Sequence, residues 1–256
     1  MDWTVITEFL SVGSCLPDNA DSDTASLLVE KKIVVDTGWF ILRNLMRAGI
    51  QPEDVQALFF THMHQDHYLG LPQLLFYLMN AGKGFDGLKI YGPEGVEDVV
   101  AQALTFGGYE KYYSHFPRPE VHVIQDDEVI CVDGVEVRCI HSHHAIESRS
   151  YRFTDPATGG SFAYSGDTAP YDEFAEFARG CRVVIHEVSF GVRETPVNNP
   201  YCHSSCMDAA RAAVAAGAKT LYMVHAREET REATEKKAAT LIPDARRPRN
   251  GDTFEF

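Results

Sequence analysis

Three histidines and an aspartate crowd into THMHQDH, residues 61–67, as His62, His64, Asp66 and His67, with apolar runs on both sides. Such side chains bind protons and metal ions, and their spacing dictates how many ions they can seed. If a strand ends near Thr61, residues two apart project to one side of the extended chain. His62 and His64 then aim at one point, while Asp66 and His67 open the turn into a helix and aim at a second. Imidazole joined with carboxylate suits zinc or a neighbouring first-row ion, and the lack of thiolates argues against a purely structural site. One segment cannot fill two coordination spheres, so further ligands are expected at other strand ends. The candidates are His141, His143 and His144 in HSHHAIESRSYRF, Asp167 in FAYSGDTAP, and His225 in LYMVHARE. Ligands drawn from several strand ends build an open site on the rim of a sheet.

The elements that must hold these groups alternate. Residues 4–13, 25–30 and 32–38 read as β-branched strands bounded by turn residues. The segment 40–48 has helical spacing, and 57–61 is a short buried strand that delivers the histidine-rich motif. Helical patterns follow at 68–80, apolar on all sides and so expected to be buried, and at 94–106; a strand in LKIYGPEG separates them. Strands at 120–124, 128–132, 135–141 and 161–165 come next, then a helix at 171–179, a strand at 182–186, a helix at 205–216, a strand at 220–224 and a charged helix at 227–241. The pattern predicts an α/β fold in one domain, 1–256, made of two β-rich halves at about 1–110 and 120–256, with two sheets face to face and helices outside.

Five motifs in order, HMHQDH, HAIESRSYR, SGDT, IHEVSF with CHSS, and MVHARE, resemble the metallo-β-lactamase superfamily, specifically its ribonuclease Z-like branch. The likeness runs from SVGSCLPDNADSDTASLLVE through GLPQLLFYL and IYGPEG to the last motif. It implies a four-layer αββα sandwich and a hydrolase with two divalent ions, zinc first and manganese or iron(II) as alternatives. It further implies that His62, His64 and His144 hold one ion, that Asp66, His67 and His225 hold the other, and that Asp167 bridges them, with His143 the rival of His144. His203 would be the general acid, with Asp66 grouped beside it as catalytic. Glu187 and His186 would stand behind the ligands, fixing an imidazole tautomer as carboxylates near metals do. Two such ions lower the pKa of a shared water from near 16 to about 7.

Composition narrows the partners. With 256 residues, 45% of them hydrophobic, the chain can bury a large core, and its six cysteines read as reduced thiols; Cys202 and Cys206 in CHSSC lack a second pair to complete a zinc site. No apolar stretch approaches the ~18–20 residues of a membrane span and the start MDWTVITEFL has no signal-peptide character, so no membrane partner and a cytoplasmic location are expected. A net charge of −14 disfavours a large RNA, the one basic cluster being Arg246, Arg247 and Arg249. Members of the branch that process tRNA carry a clamping arm between the third and fourth metal motifs; here only residues 145–166 intervene, enough for a strand pair turning at DPATGG. A dinuclear phosphodiesterase for a small or cyclic diester is therefore expected. The alternatives are an arylsulfatase-like or other ester or thioester hydrolase, an RNA-processing endoribonuclease, and a binding protein that keeps the fold without turnover. The branch also raises a homodimer, with LLFYLM at 74–79 serving either an interface or, as expected here, the core.

Overall fold

The computed structural model describes residues 5–256; Met1–Thr4, including the first residue of the strand expected at 4–13, lie outside the described residues. Two seven-stranded sheets stack face to face. The first holds β1 (Ile6–Ser11), β2 (Ser26–Val29), β3 (Ile33–Val35), β4 (Ala57–Phe59), β5 (Lys89–Gly92) and β6 (Glu120–Val123). The second holds β7 (Val129–Val132), β8 (Val135–His141), β9 (Arg149–Thr154), β10 (Ser161–Tyr164), β11 (Val183–Glu187), β12 (Thr220–Val224) and the two-residue β13 (Ala245–Arg246). The closing strand β14 (Thr253–Glu255) returns to the first sheet and pairs antiparallel with β1.

Period-two alternation sorts the apolar side chains into layers. Leu27, Val29, Ile33, Val35, Ala57 and Phe59 face the space between the sheets, where they meet Tyr151, Phe153, Phe162, Ile185 and Val224. The intervening Leu28, Val34 and Leu58 face outward, onto α1 (Ile41–Arg47), α3 (Leu71–Asn80) and α4 (Val96–Phe106). Across the molecule, Ala163, Val184, Leu221 and Met223 face α5 (Asp172–Phe177), α6 (Cys206–Ala216) and α7 (Arg231–Ala238). The result is the expected αββα sandwich. Each fully buried aromatic or aliphatic side chain contributes about 1.5–3 kcal/mol, and Phe153 stacks on Phe162 with ring centroids 4.8 Å apart.

The structure departs from the sequence reading at three places. The strand expected at 120–124 in the second half is β6, and it pairs parallel with β5 in the first sheet. α4 carries the chain back over the sheet between them, and a strand–helix–strand crossover returns the chain to the same sheet. The passage between sheets therefore falls at 124–128. Second, α3 is not buried all round: Leu71, Leu74, Leu75, Leu78 and Met79 face the core, while Gln73 and Phe76 face out. Third, the charged segment at 227–241 splits into a 3-10 turn at Glu228–Thr230 and α7, which ends at Ala238.

One rim of the sandwich collects strand ends. β3 ends beside Asp36, β4 leads into His62, β8 into His144, β10 into Asp167, and β12 into His225, while β11 ends on Glu187. The sheets are tied at this rim by a bridge between His62 and Ser148 and by the Arg149 N–H, which donates to the Thr61 carbonyl at 2.7 Å.

Candidate metal centre

Four residues of THMHQDH reach the rim from one turn. β4 ends at Phe59, the chain stays extended through His64, and the short helix α2 (Gln65–Tyr68) begins at once, so Asp66 and His67 sit on its first turn. His62 and His64 converge with His144: His64 Nδ1 lies 3.0 Å from His62 Nε2 and 3.1 Å from His144 Nε2. Beside this trio, Asp66 Oδ2 lies 3.5 Å from both His67 Nε2 and His225 Nε2. Asp167 stands between the two groups, its Oδ2 3.4 Å from His67 Nε2 and from His225 Nε2 and 4.0 Å from His62 Nε2. Donor atoms bound about 2.0–2.2 Å from one ion lie roughly 3.0–3.5 Å from each other, so both clusters have the spacing of coordination shells. Gly166 lets the SGDT turn deliver Asp167. Its φ is +59°, and a Cβ there would meet Thr61 Cβ at 2.9 Å.

The far side of each ring is held as a ligand requires. His67 Nδ1–H donates to Asp36 Oδ2 at 2.9 Å and His144 Nδ1–H to the Cys202 carbonyl at 3.2 Å. His62 Nδ1 lies 3.0 Å from Thr61 Oγ1, and His225 Nδ1 lies 2.8 Å from Ser189 Oγ. With Nδ1 engaged in these bonds, each ring presents Nε2 to the cluster as the nitrogen left to bind a metal. Three buried atoms at the centre, His67 Nε2, His225 Nε2 and Asp167 Oδ1, have no hydrogen-bond partner. Buried polar atoms without partners cost about 1–3 kcal/mol each, and a cation at the centre would satisfy all three. The donor set of nitrogen and carboxylate oxygen fits divalent first-row ions.

Asp36, Cys202 and His225 also adopt left-handed backbone conformations, with φ of 55°, 53° and 54°. Such conformations cost of order 1–3 kcal/mol and persist where surrounding contacts over-determine them.

Charge at the centre is strongly coupled. Burial pulls the His62, His64 and His144 imidazoles below their usual range and keeps them neutral. Burial opposes charge on His67 too, but the neighbouring Asp167 and Asp36 carboxylates override it and raise its pKa well above normal. Asp66 is likewise penalised by burial yet lowered to about 2 by the adjacent His225 ring and the charge of His67.

His203 stands beside the cluster, its Nδ1 4.0 Å from Asp167 Oδ2 and 2.9 Å from Glu187 Oε1. The fully buried Glu187 also accepts from the N–H groups of Thr168, Ser204 and Ser189 at 3.2, 3.0 and 2.8 Å. Burial pulls the His203 pKa down, but the bond to Glu187 and its charge outweigh burial and raise it to about 9. The loop that carries His203 is anchored by α6, whose N-terminal Ser205 and Asp208 form a reciprocal capping box.

Other residues singled out in the sequence lie elsewhere. His143 stacks on Tyr171 at 4.6 Å, and His141 is at the surface beside Arg149 and Glu147. His186 does not stand behind the ligands. On β11 its side chain alternates with that of Glu187, so it faces the helix layer, where it meets the Phe174 ring edge-on and donates from Nδ1 to the Glu187 carbonyl at 2.7 Å. Sequence reasoning missed Asp36, Thr61, Ser189 and the Cys202 carbonyl. Only Asp36 left a signal, as the carboxylate closing the apolar strand KIVVD.

Comparison with known proteins agrees with this architecture. A family model described as "Beta-lactamase superfamily domain" matches residues 31–226. Ribonuclease Z of Methanocaldococcus jannaschii is 26% identical over 275 residues, covering 85% of this chain and 84% of the relative. Ribonuclease Z of Bacillus subtilis is 27% identical over 270 residues, covering 85% and 86%. Both alignments exceed the 256 residues of this chain, so the relatives carry residues with no counterpart here. The crystal structure of the metallo-beta-lactamase fold protein YhfI from Bacillus subtilis superposes with a TM-score of 0.84 at 21% identity, covering 99% of this chain and all of the other. The chain belongs to the metallo-β-lactamase superfamily. It is a metal-dependent hydrolase.

Proposed function

We propose that this protein is a dinuclear metal-dependent phosphodiesterase acting on a small or cyclic phosphodiester. His62, His64 and His144 would hold one divalent ion, and Asp66, His67 and His225 the second, with Asp167 shared; zinc suits this set best. When bound, the ions supply an activated water at neutral pH and neutralise charge on the non-bridging phosphate oxygens.

The protein's own groups carry the remaining steps. Glu187 keeps His203 protonated at neutral pH, and His203 donates that proton to the leaving oxygen as the ester bond breaks. Proton transfer of this kind is worth roughly 10²–10⁴ in rate. Asp36, Thr61, Ser189 and the Cys202 carbonyl orient four imidazoles before substrate arrives, so no reorganisation is needed in the transition state.

The observation that carries the reading is the His203–Glu187 pair beside a cluster of seven converging ligands, because binding alone needs no charged imidazole there. A small substrate is supported by the short turn between β9 and β10, where Asp155 closes on Ala157 and Thr158 at 2.9 and 2.7 Å with no inserted arm, and by the net charge of −14. RNA cleavage is the second reading, favoured by the names of the relatives.

Zinc-reconstituted protein should be assayed on bis-p-nitrophenyl phosphate, p-nitrophenyl sulfate, a cyclic nucleotide and a precursor tRNA. Turnover of the small diesters with higher kcat/KM than the tRNA is expected. Preference for the sulfate, or for the tRNA, would reject the assignment.

A further inference from the structure

Between α5 and α6, outside the second sheet, lies a cavity of about 460 Å3, within the range of roughly 300–1,000 Å3 usual for small-molecule sites. Small side chains make the room: Ala212 and Ala215 from α6 and Ala175 from α5. His186, only 2% exposed, is part of its lining. Its Nδ1–H is committed to the Glu187 carbonyl, so the unshared pair resides on Nε2, which has no hydrogen-bond partner among the described residues. Burial keeps this ring neutral. A ligand here must bring a donor.

The charges around the cavity specify which donor. Asp172, Glu173 and Asp208 contribute carboxylates, against one guanidinium, Arg211, which Asp208 already holds at 3.0 Å. The Tyr171 and His143 rings, stacked 4.6 Å apart, add an aromatic wall, and the Tyr171 hydroxyl is occupied by Ser150 at 2.9 Å. Carboxylates and an aromatic surface attract a cation, and a neutral imidazole accepts its proton in a hydrogen bond. We propose that this cavity is an effector site for a small organic ammonium ion, separate from the metal centre.

The cavity is backed by the segments that build that centre. His143 precedes His144, His186 precedes Glu187, and Tyr171 lies four residues beyond Asp167. Asp208 caps the helix that anchors the His203 loop. A ligand that orders these walls therefore acts on residues adjoining the acid and two of the ligands.

The test uses zinc-loaded protein and three four-carbon probes that differ in charge: putrescine, 1,4-butanediol and succinate. Binding is followed through the histidine ring signals by NMR, which does not depend on the proposed reaction, and turnover of bis-p-nitrophenyl phosphate is followed in parallel. Putrescine should shift the His186 ring saturably, at least tenfold more tightly than butanediol, and change turnover at least twofold; succinate should do neither. Ala212→Phe should abolish both effects while metal content and basal turnover stay unchanged. Ala215→Trp, at an exposed position, serves the same purpose should the first variant not fold. Absence of a saturable shift, equal binding of butanediol, or persistence of binding in the filled variants would overturn the site. Binding without any change in turnover would overturn its effector role.

Discussion

Replacing Asp36 by asparagine should weaken metal binding at both proposed sites although Asp36 belongs to neither cluster of candidate ligands. Its Oδ2 accepts from His67 Nδ1–H at 2.9 Å and from the Thr61 hydroxyl at 2.8 Å, and Thr61 Oγ1 in turn lies 3.0 Å from His62 Nδ1. One carboxylate oxygen thus sets the tautomer of a ligand in each cluster. In Asp36→Asn, the amide oxygen keeps the bond from the Thr61 N–H, now made by Oδ1 at 2.8 Å, and an NH2 group replaces Oδ2. His67 Nδ1 must then accept, which moves the ring proton to Nε2, facing the ion. The Thr61 hydroxyl, receiving a donor, turns to donate to His62 Nδ1, which leaves the His62 ring proton on Nε2 in the same way. Loss of such a partner typically lowers affinity 10–100-fold, about 1.4–2.7 kcal/mol per ion. The fold should suffer less, because the substitution also removes a buried charge whose desolvation already raises the Asp36 pKa. Zinc affinity measured by chelator competition on wild type and variant, with circular dichroism as the control, decides the matter. Both affinities unchanged within threefold would refute the tautomer argument.

His203→Ala should retain both metals and slow alkyl phosphodiesters by roughly 10²–10⁴, while p-nitrophenyl diesters, whose leaving group needs no proton, slow far less; equal slowing of both removes His203 as the acid. Because Glu187 raises the His203 pKa to about 9, activity that requires the charged ring is present below that value and lost as pH rises through it. In Glu187→Gln the largest raising influence on His203 is removed and burial is opposed only by the more distant Asp167 carboxylate, so the alkaline limb of kcat should move at least one pH unit lower; an unmoved limb contradicts the pairing. Asp167→Ala should lower occupancy of both sites, as read by elemental analysis, since its Oδ2 faces ligands of each cluster; retention of two ions would exclude the shared role.

Much of this was legible in the residues because the site is built from strand ends, where a polar group interrupts an apolar run. THMHQDH, SGDT and MVHARE each announce such an interruption, and alternation along β2 to β4 divides the core correctly. What stayed hidden depends on three dimensions. His143 and His144 are adjacent, and only the turn that stacks His143 on Tyr171 separates their roles. His186 looked like a partner of Glu187, but strand alternation sends adjacent side chains to opposite faces of β11. Asp36 lies 31 residues before His67 in the sequence, so no local pattern links them. β6 looked like the start of the second half because the crossover through α4, not composition, decides which sheet it joins.

The central claim is tested most directly by anomalous diffraction at the zinc edge from crystals of the reconstituted protein. Two peaks per chain are predicted, one among His62, His64 and His144 and one among Asp66, His67 and His225, with Asp167 in reach of both. A map with no peak at this rim, or with metal bound by other residues, would contradict it.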